Sequence, residues 1–375
     1  MAGRGVRGGA GRRREALAAG LGAALLARGG GGAAPAPARA GALLDRRRAE
    51  LARTGQLLEA DPDSQLLAAQ RYLLQNEIDR VAANSAFVSE AASRVRAGAG
   101  GGYFHAARLR VPDLASEVKF WTEGLGMGVV RGSPAGGSCA LAYAPESLAQ
   151  EDGGGFALEL AGVPAGLERP GAGGGGGLAF LQVALPNMIS MSKVDAAGGE
   201  ILSGYGWLRI RSPGGVDVRA YVGRRRDPVE FAALRCDDPG RGGAGLDGAA
   251  GATGSSPLEA SAAYYRGLGM EEREVPASED LFTPTPPKGS RLLCFGDAAR
   301  ETGLLLLPPG VEAGGSRSLG ALQGLSIVAS PGAGSTGRDP AGRNVEVQDF
   351  AAFEAGLPPA EVRDLTLAGV PALKL

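Results

Sequence analysis

The chain has 375 residues, 44% of them hydrophobic, so a sizeable core can form even with 64 Gly and 24 Pro. The formal charge of −1 hides an asymmetry: residues 1–40 hold seven Arg and one Glu, leaving a mildly acidic body that does not suit a nucleic-acid binder. Three cysteines, Cys139, Cys236 and Cys294, are odd in number and far apart, which excludes a disulfide framework or a zinc knuckle.

In chain order, residues 1–40 read as an address. Arg12, Arg13 and Arg14 precede an uncharged Ala/Leu/Gly-rich stretch over 16–27, and Ala38-Arg39-Ala40 gives a small-x-small cleavage site. Paired arginines before a weak apolar region resemble a twin-arginine signal peptide. The Arg/Gly-rich, acid-free start adds the remnant of a plastid transit peptide, so the predicted compartment is the thylakoid lumen, with a bacterial periplasm as the alternative. The mature chain is expected to begin near Gly41, and no apolar run in it reaches the roughly 20 residues that span a bilayer.

Residues 41–102 form a helical extension and glycine linker. Asp63 or Ser64, after Pro62, can cap a helix running to about Arg96. Leu67, Leu74, Ile78, Val81, Val88 and Val95 keep one face of it apolar, nearly in heptad phase. A shorter helix is expected over 42–54. The extension is either a hairpin packed on its own body or an arm that grips a protein partner, such as a lumenal or membrane-complex protein.

From Tyr103 the texture becomes repetitive. A strand over 104–111, a Pro112-Asp113 turn, helical spacing over 114–124 and strands at 127–131, 139–143 and 156–161 make one β-α-β-β-β unit. A second unit opens with a strand over 178–185. A third echoes the first: Tyr264-Tyr265-Arg-Gly-Leu-Gly-Met270 repeats Phe120-Trp121-Thr-Glu-Gly-Leu-Gly-Met127. It carries a Gly/Ala/Ser insert over 240–256, expected to be disordered. A fourth, abbreviated unit spans 322–353, its helix shrunk to a Gly/Ser loop. The predicted divisions are 103–226 for the first two modules, 227–355 for the last two, and a tail over 356–375.

Leu109-Arg-Val-Pro-Asp-Leu114, followed by Lys119-Phe-Trp-Thr-Glu-Gly-Leu-Gly-Met127, resembles the opening of the vicinal oxygen chelate superfamily, and within it glyoxalase I. Ala157-Leu-Glu-Leu160 resembles that family's Glu-bearing fourth strand, and Asp339-Pro-Ala-Gly-Arg-Asn-Val-Glu346 its closing turn and strand. The resemblance implies an α+β fold of four βαβββ modules paired into two cupped glyoxalase-like domains. It also implies a divalent metal (Ni, Co or Zn) held by His or Gln on first strands and Glu on fourth strands, acting on a dicarbonyl–glutathione adduct.

Those ligand positions are eroded. In the first module the His/Gln position is Ala106, and the chain's one histidine, His105, sits one residue earlier, where only a bulge would aim it at a metal. Glu159 matches its position. In the second module Phe180, or Ala179 with a slipped register, replaces the neutral ligand and Arg219 replaces the Glu. In the third, Phe231, with Glu230 one residue off, and Leu305 or Leu306 take the two places. The fourth keeps Glu346, with Gln323 or Gly324 at the neutral position. If modules one and four pair, Glu159 and Glu346 share one metal site with His105 and Gln323 as additions, and the sister site is dead. By the same resemblance Arg110, with Arg108 on its face, meets substrate carboxylates.

An epimerase or dioxygenase of the superfamily needs two His and one Glu, which one His cannot supply. The glycine run 173–177 lacks the Lys-Ser/Thr of a phosphate loop. Two readings stand. The first is a non-catalytic binding or structural module in an exported compartment; the alternative is a single-site, metal-dependent lactoylglutathione lyase in which Glu346 and Glu159 are catalytic.

Overall fold

The computed structural model describes residues 40–96, 101–144, 146, 154–163, 177–187, 189–236, 256–275, 282–311, 321–329 and 336–357. Residues 1–39 of the expected 1–40 targeting signal, most of the 240–256 insert, the Gly/Ser loop 330–335 and the tail from 358 lie outside the described residues. Among the described residues, no helix is long and apolar enough to cross a membrane.

Helix α1 (Ala40–Ala60) and helix α2 (Gln65–Arg96) form a hairpin about the turn at Asp61-Pro62-Asp63. Thr54, Leu74 and Ile78 are buried between them, and Arg47 reaches Glu77 at 3.1 Å. The far end of α2 docks on the body: Val88, Ala91, Ala92 and Val95 share one apolar cluster with Tyr103, Val328, Phe350 and Phe353. Its apolar stripe is therefore used twice, once within the hairpin and once against the sheet; the Val81 side chain lies outside the described set.

The first module comprises β1 (Gly102–Val111), α3 (Leu114–Lys119), β2 (Gly128–Ser133), β3 (Ser138–Ala142) and β4 (Ala157–Gly162). The second comprises β5 (Leu178–Leu185), α4 (Met191–Ala196), β6 (Glu200–Tyr205), β7 (Trp207–Arg211) and β8 (Asp217–Val222). The third follows as β9 (Val229–Arg235), α5 (Pro257–Gly267), β10 (Glu271–Arg273), β11 (Arg291–Cys294) and β12 (Gly303–Leu307). The fourth has β13 (Ala321–Ala329), β14 (Gly337–Arg338) and β15 (Asn344–Asp349), and α6 (Phe350–Gly356) closes the described chain.

The first sheet runs β14-β15-β13-β1-β4-β3-β2 and the second β10-β11-β12-β9-β5-β8-β7-β6. Modules one and four thus share one sheet, and two and three the other. The seams are antiparallel pairs of first strands, β1 with β13 and β5 with β9. One face of each sheet carries alternating apolar residues (Leu109, Leu158, Leu181, Leu304) into a common core with the helices. The opposite faces are the cups.

Local chemistry sets the helix starts. Asp113 accepts from the Ala115 and Ser116 amides to cap α3, and Ser190 and Ser256 cap α4 and α5 the same way. The echoed motifs share their bonds. The Met127 amide donates to Trp121 O at 2.9 Å and the Met270 amide to Tyr265 O at 3.2 Å, after Gly126 (φ 82°) and Gly269 (φ 97°). The first copy has one more residue, which a π-helical turn over Phe120–Gly124 absorbs.

Candidate functional site

Four β-bulges shape the seams. Register breaks between Phe104 and Ala106, and between Arg108 and Leu109 opposite Gln323, in the first sheet. In the second they fall at Ala179 and at Glu230. The residues one place off the ligand positions (His105, Ala179, Glu230, Gln323) are therefore the extra residues of bulges, each re-aimed by one.

In the first sheet a row of neighbours runs Arg131, Ala140, Glu159, Arg108, Gly324 across five strands. On the next strand, β15, Asn344 continues the row, and Glu346 stands two residues along from it, opposite Ser326. The small residues let the arginines reach. Arg131 extends past Ala140 and donates from Nη2 to Glu159 at 2.6 Å. Arg108 passes Gly324 and donates from Nε to Glu159 and from Nη1 to Glu346. A Cβ on Gly324 would stand 2.8 Å from the Asn344 carbonyl oxygen, so this gap is tied to the packing of β15. Gln348 supplies a further donor to Glu346 at 2.7 Å.

His105 is buried, 1% exposed, and turned by its bulge toward Glu146, whose Oε1 lies 3.0 Å from Nε2. Its Nδ1 is 3.4 Å from Ser326 Oγ, and Phe353 packs against the ring. Arg131 holds the same Glu146 through two bonds of 2.7 and 2.9 Å. Burial raises the Glu146 carboxyl, but hydrogen bonds from His105 and Arg131 outweigh it and bring it down to about 2. Glu159 is lowered too, because Arg108 and Arg131 overcome its burial. Gln323, with its amide oxygen toward Arg110, accepts from that guanidinium at 2.7 and 2.8 Å.

The structure brings Glu159, Glu346 and Arg108 together as one network and leaves His105 and Gln323 on separate partners, Glu146 and Arg110. Such a donor set does not fit a divalent ion. The guanidinium of Arg108 stands between the two carboxylates that would hold an ion, and the β1–β4 register fixes Arg108 beside Glu159. Two unit charges 4 Å apart interact by about 4 kcal/mol near a protein surface, so a dication there meets roughly twice that in repulsion. Among the described residues no group of three His, Cys, Asp or Glu is placed to hold a metal.

The second cup is different. Phe180, Phe231, Ala233, Leu292, Cys294, Leu305 and Leu307 pack together, with the two phenyl rings edge to face at 6.1 Å. Glu230 is tied to Gln182, Tyr221 and Arg225. An unpaired cation in such surroundings is expected to turn to solvent or find a carboxylate; Arg219 is only partly exposed and has no carboxylate partner among the described residues. Its guanidinium lies over the Phe180 ring at 3.6 Å and 5.8 Å from Trp207, so ring faces replace part of the lost hydration. Burial, then the like charge of Arg209, brings it down to about 10.

Sequence reasoning missed Arg131, Glu146 and Ser326. Arg131 falls within a predicted strand, where alternation with Met127 and Val129 would place it on the core face; the register break between Val129 and Arg131 turns it to the cup, and Glu146 sits in a loop with no period to announce it.

Residues 102–214 match the model of the Glyoxalase/Bleomycin resistance protein/Dioxygenase superfamily. A point mutant of glyoxalase I from Zea mays is 20% identical, with 69% of this chain and 96% of that one covered at a TM-score of 0.49. Glyoxalase I from Zea mays itself gives 20% identity, coverage of 68% and 95%, and a TM-score of 0.48. A putative dioxygenase from Bacillus subtilis is 12% identical over 67% and 87% of the chains, with a TM-score of 0.37. No curated protein matches.

Proposed function

We propose, from the match of residues 102–214 to the Glyoxalase/Bleomycin resistance protein/Dioxygenase superfamily model, that this chain is a glyoxalase I-like, non-catalytic binding or structural module. One observation carries the reading: Arg108 is paired with both Glu159 and Glu346, the two carboxylates that a metal-dependent lyase would need free. A general base must also be able to take a proton, and Glu159, held low by two guanidiniums, is a poor one. Arg110 has two of its donors engaged by Gln323.

The location follows from the first forty residues and stays a proposal: an exported compartment, the thylakoid lumen or a periplasm. A protein partner there would meet the α1–α2 hairpin, whose Leu57, Leu66, Tyr72 and Leu73 are exposed. The second reading, an active single-site lactoylglutathione lyase, draws on the retention of both Glu159 and Glu346 in one sheet. The two part in one assay. Purified 41–375 is given the methylglyoxal–glutathione hemithioacetal with Ni²⁺, Co²⁺ or Zn²⁺. No turnover above the buffer rate is expected, and metal-stimulated turnover lost in Glu346→Gln would establish the lyase instead.

A further inference from the structure

The fourth-strand position that holds Glu159 in the first sheet holds Arg219 in the second, and the row around it changes with it. In the first sheet the order is Arg131, Ala140, Glu159, Arg108; in the second, matching neighbours read Ser203, Arg209, Arg219, Gln182. The first row places a carboxylate between two arginines. The second places two arginines side by side with no carboxylate in the row.

The nearest acid is taken. Asp217 accepts from Arg209 at 2.8 Å and from Arg211 at 3.2 Å. Arg219 has no hydrogen bond or ion pair among the described residues; what stabilises it there is the stack on Phe180, with Trp207 farther off. A stacked guanidinium keeps its N–H donors in plane and pointing away from the ring, the geometry that grips an oxyanion through two parallel bonds. Access is from the outer half of the cup, where Ser203 and Gly204 are exposed, Tyr205 is 80% exposed and Trp207 is half-buried. The apolar packing of Phe231, Leu305 and Leu307 fills the other half and supplies a low-dielectric floor.

We propose that Arg219 and Arg209, with Ser203 and the Trp207 ring beside them, form a binding site for a small oxyanion, a carboxylate or a phosphate. The ligand's oxygens lie between the two guanidiniums, as the Glu159 carboxylate lies between Arg108 and Arg131 in the first sheet. This site is independent of the metal-free reading of Arg108, and neither depends on the other.

The chain has two tryptophans, and Trp121 is fully buried in the core, so a ligand-dependent emission change reports Trp207. The experiment titrates 41–375 with oxalate and, separately, inorganic phosphate, against sodium chloride at matched ionic strength. A saturable change with oxalate or phosphate but not with chloride is expected; which anion gives it identifies the ligand chemistry. Arg219→Leu should weaken it about tenfold or more, the scale of a charged hydrogen bond. Arg219→Lys, which keeps charge but not the fork, should weaken it less, with near-UV circular dichroism confirming both variants fold. A wild-type response no greater than that of chloride, or undiminished affinity in folded Arg219→Leu, overturns the site.

Discussion

The two cups are built from the same module and are filled in opposite ways. The first keeps its acids and supplies a resident cation: Arg108 and Arg131 meet Glu159, Glu346 and Glu146. The second has replaced its acid by Arg219 and fills the space with Phe180, Phe231 and leucines. A hollow of this kind can be closed by internal charge pairs or by apolar side chains. The choice determines how each half responds to mutation and pH.

The largest effect should come from the apolar cup. Phe231→Ala removes a fully buried ring from a packed cluster and should cost about 3–5 kcal/mol, read as a fall in the urea midpoint. An unchanged midpoint would mean that the second cup is not tightly filled. Arg131→Leu should follow at roughly 2–3 kcal/mol, since it leaves the buried Glu146 with His105 alone. Adding Glu146→Gln to it should recover much of that loss, because the stranded charge is then gone.

Acid separates the cups further. Glu146 is held at about 2 in the folded protein against roughly 4.3 for a free Glu. Its lowered value contributes stability that is fully present above the free value and lost as pH falls toward 2. Hydrogen exchange at about pH 3 should show β1, β3 and β4 losing protection before β5 and β9. Equal loss in both sheets would contradict the ionic account of the first cup. Arg219→Leu should be the mildest change, within about 1 kcal/mol in either direction, because the lost cation–π contact is offset by relief of burying a charge beside Arg209.

Much of the architecture is legible in the sequence because its signals are local. The Asp113 cap, the 178–185 strand and the echo of Trp121 by Tyr265 are each set by a few neighbouring residues. The pairing of modules one and four follows from Glu159 and Glu346 only after the sheets are known, since register is a long-range property. In the sequence, the one-residue offsets of His105 and Glu230 look like erosion. They are bulges, which depend on the partner strand and leave no mark in either strand alone. Alternation and resemblance make Arg108 a substrate contact; its pairing with Glu159 and Glu346, and that of Arg131 with Glu159, rest on Gly324 and Ala140, whose smallness matters only once they are neighbours in a row.

The central claim is that Arg108 replaces the metal rather than waiting beside it. Titration calorimetry of Zn²⁺ and Ni²⁺ into 41–375 and into Arg108→His tests this most directly, since the variant removes the guanidinium and adds a third ligand between Glu159 and Glu346. The wild-type protein should show no stoichiometric binding and Arg108→His one new site, lost again on Glu346→Gln. One equivalent bound by the wild-type protein as tightly as by the variant would contradict it.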